Sequence, residues 1–183
     1  MIKFIDAGVA EIPAIQDIAE RTWWPAYSKI LSKEEIRYML DALYNTETLS
    51  ESISNKSQRY ILLNNNSGFQ GFASFGRRKE NAQVAKLHKI YVLPENQGKG
   101  YGRLLIEEVK RRIILENIRI LDLNVNRYNK AKEFYERMGF SVVAEEDVPI
   151  GPYWMNDFVM RLQFWVGRSP SKAKKLGIAE TKW

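Results

Sequence analysis

Leu87–Gly102 reads LHKIYVLPENQGKGYG, and it runs a strand into a glycine-rich turn and then directly into a helix. Leu87 to Val92 is apolar and β-branched enough to be a half-buried or buried strand, and Pro94 stops it by withholding a ladder donor. From Arg103 to Glu116 the residues Leu104, Leu105, Val109, Ile113 and Ile114 recur at helical spacing, with charge on the other face. Between these elements lies Gln97-Gly98-Lys99-Gly100-Tyr101-Gly102. Missing side chains there let backbone N–H groups approach an anion at the positive end of the helix, so several phosphate oxygens could be held without one charged side chain.

The spacing separates this turn from better-known phosphate loops. A nucleotide P-loop needs G-x-x-x-x-G-K-[ST], and no Ser or Thr follows Lys99 or Gly100 to hold magnesium. The dinucleotide fingerprint G-x-G-x-x-G is not met either, because the glycines fall as G-x-G-x-G and no acidic residue ends a following strand at the usual distance. Read alone, the segment is also compatible with a tight turn that only caps a helix.

A second segment, Ile118 to Phe140, reads IRILDLNVNRYNKAKEFYERMGF. Ile120, Leu121, Leu123 and Val125 form a short apolar strand, Asn126-Arg127-Tyr128-Asn129 is a polar turn able to cap a helix, and Lys130 to Met138 is a helix ended by Gly139. Ala131, Phe134, Tyr135 and Met138 share a face of that helix, which points Tyr135 inward beside Phe134. A buried tyrosine hydroxyl wants a partner.

Together the two segments resemble the GCN5-related N-acetyltransferase (GNAT) family. Gln97, Gly100 and Gly102 fill that family's acetyl-CoA loop Q/R-x-x-G-x-G/A, and Asn129, Ala131, Phe134, Tyr135, Gly139 and Phe140 match its later segment in the form N-x-A-x-x-F-Y-x-x-x-G-F. The order and type of elements resemble the family over Met1 to Phe164, although only Leu87 to Phe140 carries diagnostic residues. The resemblance implies a mixed α/β fold: a single, mostly antiparallel, twisted sheet of six or seven strands with splayed central strands and helices on both faces. It implies acetyl-CoA as cofactor and direct transfer of its acetyl group to an amine. The backbone of Ile90, Tyr91 and Val92 would meet the pantetheine and the carbonyl, and Gln97, Gly98, Lys99, Gly100, Tyr101 and Gly102 would hold the phosphates. Asn129 and Lys132 would complete the cofactor contacts from the neighbouring strand and helix.

Composition agrees with one domain over residues 1–166 followed by a basic tail over 167–183, whose densest run is Lys172 to Lys175 after Gly167 and Pro170. No apolar run approaches the roughly 20 residues of a membrane-spanning helix, and Met1-Ile2-Lys3 leads into a strand, so we expect no membrane partner and a cytoplasmic location. The absence of cysteine removes disulfides, thiolate zinc sites and a cysteine nucleophile, and the single histidine argues against a histidine metal cluster. The net charge of +6 raises nucleic-acid binding as a competing class. Its distribution argues against that, because basic residues are interleaved with acids, as in Glu107-Glu108-Val109-Lys110-Arg111-Arg112, the pattern of a solvated helix face. Excess positive charge also suits an anionic cofactor such as coenzyme A.

The remaining chain predicts a strand at Ile2–Ile5, a helix at Glu11–Thr22, and a helix from Lys33 to about Tyr44 opened by the Ser32–Glu35 capping box. A short helix at Thr46–Ser54 is followed by strands at Gln58–Leu63, Gly71–Arg78 and Gln83–Val92, with a hairpin turn at Asn64–Gly68. Strands at Ser141–Glu146 and Trp154–Phe164 come last.

Amide formation needs a neutral amine, a donor to the carbonyl oxygen and a proton for the departing thiolate. Tyr135 is the candidate proton donor; packing alone is the other role open to it. His88 stands where members of the family often carry a glutamate. It is either a base with a pKa suited to neutral pH or an exposed strand residue. Trp23, Trp24, Tyr27, Tyr153 and Trp154 are the candidate acceptor residues, since aromatic faces hold cationic amines, though core packing uses the same residue types. The acceptor is a small-molecule amine of the polyamine kind or a peptide amine. The competing function is a non-catalytic acyl-CoA-binding module, and the oligomeric state, a homodimer included, is open.

Overall fold

The computed structural model describes residues 1–164; the tail expected from Gly167 onward lies outside them. In chain order the elements are β1 (Lys3–Ala7), α1 (Ile12–Tyr27), α2 (Lys33–Tyr44), α3 (Thr46–Ser54), β2 (Arg59–Asn65), β3 (Gly68–Arg77) and β4 (Val84–Val92). There follow α4 (Tyr101–Leu115), β5 (Ile120–Asn126), α5 (Ala131–Arg137), β6 (Ser141–Ile150) and β7 (Tyr153–Gln163). The seven strands form one sheet in the order β1-β2-β3-β4-β5-β7-β6. All neighbours are antiparallel except β4 and β5, which α4 joins as a parallel pair. The mixed fold, with helices on both faces of an open sheet, is the one expected.

Two features of the sheet position the site. β4 and β5 pair only from Val84–Leu87 to Ile120–Leu123, after which β4 continues to Val92 beside β3 alone and β5 continues to Asn126 beside β7 alone. The strands therefore part, and a wedge opens between His88–Val92 and Asn124–Asn126. The second feature is a bulge: Ser74 opposes Lys89 while Phe75 opposes Leu87, which leaves His88 as the extra residue. Leu87 and Ile90, three positions apart, consequently both pack into the core beneath α4 and α5. That core takes Leu105, Val109, Leu121, Leu123, Tyr135 and Met160, while the opposite face carries a second core of Ile15, Trp23, Met39, Leu62 and Phe72 under α1 to α3.

Several boundaries differ from the expected ones. α1 does not stop at Thr22 but runs through Pro25 to Tyr27. Pro25 forfeits the bond its N–H would have made to the Arg21 carbonyl, and continuation is favoured because it keeps Trp23 and Tyr27 on the buried stripe begun by Ile12, Ile15 and Ala19. The capping box is present, with the Glu35 N–H donating to Ser32 Oγ at 3.2 Å and the Ser32 N–H to Glu35 Oε2 at 2.8 Å. α4 begins at Tyr101 instead of Arg103, because Gly100 already takes the left-handed conformation that starts the helix. β6 and β7 extend to a tight turn at Gly151 and Pro152.

Candidate functional site

The loop before α4 is built as the glycine pattern requires. Gly98 and Gly100 have φ of +78° and +82°, and a Cβ at either would meet nothing within 4 Å. Backbone conformation demands glycine at both, and the space beside them is open. At Gly102 the reason is different: a Cβ would lie 3.2 Å from Phe134 Cζ, so glycine lets α4 pack tightly against α5. Leu104 is the first helical residue whose N–H is taken, by the Gly100 carbonyl at 3.1 Å, which leaves the N–H groups of Tyr101, Gly102 and Arg103 for an anion. Side chains brace the loop: Lys99 Nζ donates to Asn96 Oδ1 at 2.8 Å, Gln97 Nε2 to the Val92 carbonyl at 3.3 Å, and Asn65 Nδ2 to the Tyr101 hydroxyl at 3.2 Å. This open cradle at a helix N-terminus fits the diphosphate of coenzyme A.

Ile90, Tyr91 and Val92 line the β4 side of the wedge, where β4 has no strand partner on its β5 edge. Asn129 lies across from them and caps α5 by accepting the Ala131 N–H at 2.9 Å, while Lys132 pairs with Glu136 at 2.5 Å and stands 5.7 Å above the Phe158 ring. Tyr135 packs in the α4–α5 core against Phe134 and Phe140, at centroid distances of 5.3 and 5.9 Å. Burial pushes its phenol pKa up, and the Tyr27 hydroxyl adds to the shift. Tyr27 belongs to the opposite face, in the α1–α2 core. Burial raises its pKa too, against the neighbouring Tyr91 and Asn129 side chains. Tyr135 and Tyr27 thus lie in the cores on opposite faces of the sheet. Tyr135 is protonated at neutral pH, as any phenol is, and burial makes its proton harder to lose; among the described residues no group binds its hydroxyl.

His88 is an exposed bulge residue with Nε2 over Gly76, 3.7 Å from where a Cβ would stand. Crowding of the ring, then Lys89, Lys86 and Arg78, pull its pKa down to about 3. Solvent contact weakens the first effect and leaves its sign, so the imidazole is neutral at pH 7 and a poor proton acceptor. Its neighbour Lys89 is half-buried, donates to Gln58 Oε1 at 3.0 Å, and has its pKa lowered by desolvation to about 8.

The aromatic residues divide among three places. Trp23 is 2% exposed, stacks on Tyr27 at 4.7 Å and donates to the Tyr44 hydroxyl at 3.2 Å, which makes it core. Trp24 lies on the outer side of α1, bonded to Glu20 at 2.8 Å and covered by the Arg37 guanidinium at 5.1 Å. Tyr153 packs edge-on against Tyr38 of α2 at 5.4 Å, and Trp154 is 55% exposed at the β6–β7 turn. Tyr27 alone of the five reaches the wedge region.

Sequence reasoning missed the polar half of the α1–α2 face. Leu121, Leu123 and Val125 point into the α4–α5 core, so Asp122, Asn124 and Asn126 point the other way. Asp157 on β7 joins them, opposite Asn126, and is buried. Its signal in the sequence was a carboxylate inside the otherwise apolar run Met155 to Leu162, broken also by Asn156 and Arg161.

The glycine cradle, the wedge and the inward phenol on this sheet define an acyl-CoA-dependent transferase, and comparison with known proteins agrees. A family model for the acetyltransferase (GNAT) domain matches residues 28–155, and the chain belongs to that family. It is an acetyltransferase, and its cofactor is acetyl-CoA. It is 26% identical over 165 residues to a spermidine N(1)-acetyltransferase of Thermoplasma acidophilum, covering 89% of this chain and 98% of that protein. A crystal structure of the PaiA N-acetyltransferase of that organism in complex with coenzyme A superposes with a TM-score of 0.76 at 25% identity, over 90% of this chain and 99% of the other. A shorter match, 32% identical over 92 residues, is to the ribosomal protein bS18-alanine N-acetyltransferase of Haemophilus influenzae, spanning 49% of this chain and 61% of that protein. No described helix is long and apolar enough to cross a membrane.

Proposed function

We propose that the protein acetylates a primary amine of a small polycationic molecule of the polyamine class. The observation that carries this reading is the wedge where β4 parts from β5 beside the glycine cradle, with Tyr135 in the core on one face and Tyr27 in the core on the other. Acetyl-CoA supplies an activated acetyl group as its thioester. The N–H groups at the start of α4 bind the diphosphate, and the free edge of β4 at Ile90 to Val92 orients the chain that leads to the thioester. Tyr135 holds a proton at Oη for the sulfur that leaves. The acceptor enters from the α1–α2 side, where Glu146 on the exposed strand β6, in register with Asp157, offers negative charge to a cationic amine. Likeness to the spermidine acetyltransferase supports that class; likeness to the bS18-alanine acetyltransferase covers a shorter part of the chain.

The test is calorimetric titration with acetyl-CoA followed by thiol release with polyamines, aminoglycosides, amino acids and short peptides. Release with spermidine or spermine and none with peptides is expected. Release with peptides alone would overturn the acceptor class.

A further inference from the structure

Two buried carboxylates stand on the polar half of the α1–α2 face, and they are treated differently. Asp122 is held by Arg161 at 2.7 and 2.9 Å and faces Arg78 at 2.9 Å, so its charge is balanced within the fold. Asp157 is 8% exposed and has no cationic side chain within ion-pair distance among the described residues; its one side-chain hydrogen bond comes from Asn124 Nδ2, at a long 3.3 Å. Asn124 also donates to Glu146 at 2.9 Å, and its own Oδ1 is buried with no partner. Arg127 Nε donates to the Asp157 backbone carbonyl at 3.3 Å and not to its carboxylate, and a buried carboxylate without an ion-pair partner and a buried amide oxygen without a donor both cost stability. One ligand removes both costs: an ammonium, with a positive charge and three N–H donors.

The location suits the reaction. Asp157 pairs in register with Asn126, at the end of β5 that has parted from β4, and its charge acts on Tyr27, a buried phenol of the α1–α2 core. We infer that Asp157 binds the acceptor's ammonium group and takes its proton. The inference rests on the acceptor reading above. The residues around it support the role of base: desolvation holds its pKa above the ordinary aspartate value, Asn124 opposes that by hydrogen bonding, Lys86 from β4 and Arg127 after β5 oppose it by charge, and Glu146 from β6 reinforces it. His88, on the same face, has its pKa lowered by crowding of the ring and then by Lys89, Lys86 and Arg78, which leaves it neutral and a poor proton acceptor at pH 7. In the balanced step Asp157 accepts one ammonium proton and leaves a neutral amine. The amine lone pair forms the N–C bond to the acetyl carbon, and the C–S bond breaks with its electrons going to sulfur. The second amine proton restores the one that Tyr135 gives to the departing sulfur, and Asp157 returns the first to solvent, so amide and thiol leave with one net proton released.

The test compares wild type, Asp157→Asn, Asp157→Glu and His88→Gln with the preferred amine, reading kcat/KM against pH, acetyl-CoA affinity and Tm. Asp157→Asn should lose about 100-fold or more in kcat/KM and the acid limb of the profile, while acetyl-CoA affinity holds and Tm stays or rises. Asp157→Glu should recover part of the rate, and His88→Gln should stay within about threefold of wild type. Asp157→Asn within threefold of wild type overturns the inference. So does a fall in Tm and acetyl-CoA affinity in both Asp157 variants, which marks a structural residue. Wild-type turnover reads the acceptor class separately, and a wild type active on peptides alone would refute that class while the variant ratio still decides Asp157.

Discussion

Replacing Tyr135 with Phe removes one oxygen and leaves everything else in place. The ring keeps its contacts with Phe134 at 5.3 Å and Phe140 at 5.9 Å, and the lost hydroxyl had no partner among the described residues, so stability should change by less than about 0.5 kcal/mol. The backbone groups proposed to hold acetyl-CoA lie at the start of α4 and on β4 and are untouched, so its affinity should be unchanged. What disappears is the proton that burial keeps on Oη. Loss of a positioned proton donor costs about 10²- to 10⁴-fold in rate, or roughly 3–5 kcal/mol of barrier. The assay is thiol release at saturating acetyl-CoA and amine, with a rapid-mixing measurement of the first turnover so that slow product release does not mask the chemical step. A first-turnover rate within threefold of wild type would refute the reasoning, as would an equal loss of acetyl-CoA affinity.

Other perturbations test other parts of the molecule. Gly100→Ala forces a side chain onto a φ of +82° at the edge of the phosphate cradle; it should weaken acetyl-CoA binding by roughly 1–2 kcal/mol in calorimetry and leave the amine KM alone. Gly151→Ala places a Cβ 1.9 Å from the Tyr38 hydroxyl at a φ of +59°, so it should push the β6–β7 turn off α2, lower Tm and raise the amine KM while acetyl-CoA affinity holds. Glu108, nearly covered, is bonded by Arg111 and then Arg112 at 2.8 Å, which hold its pKa down to about 2 against desolvation. That stability is present above the unfolded pKa of about 4.3 and lost as pH falls toward 2; with Arg111 in solvent, Glu108→Gln should cost about 1–2 kcal/mol at pH 7 and progressively less below pH 4 in denaturant titrations. His88, the only histidine, has a folded pKa well below its unfolded value, so its contribution is present above about pH 6.5 and declines as pH falls toward 3. Its ring proton NMR signals should not shift between pH 8 and pH 5, and titration near 6.5 would contradict the crowding by Lys86, Lys89 and Arg78.

Local rules were legible in the chain because they act over a few residues. The apolar run of Leu87 to Val92, the glycines at 98 and 100, the Ser32–Glu35 box and most of the helical stripe of α4 each depend on neighbours within a turn or two and are found where their spacing placed them; Leu104 is the exception and is exposed. Boundaries that depend on distant packing were not legible. The local pattern ends the first helix at Thr22, yet burial of Trp23 against Tyr27, Tyr44 and Tyr91 carries α1 past it. The aromatic residues read as one cluster, but which side of α1 meets the sheet sends Trp23 inward and Trp24 out to Arg37.

The sequence by itself determined a strand, a glycine-rich turn and a helix, followed by a strand and a helix with an inward tyrosine, because hydrophobic periodicity and glycine conformation are written into adjacent positions. Only the tertiary structure decided that β4 and β5 part after Leu87 and Leu123, that a one-residue bulge places His88 among cations, and that Asp157, far along the chain from the loop, lies unpaired beside the wedge. Register and desolvation depend on which strands become neighbours, and no stretch of sequence carries that information alone.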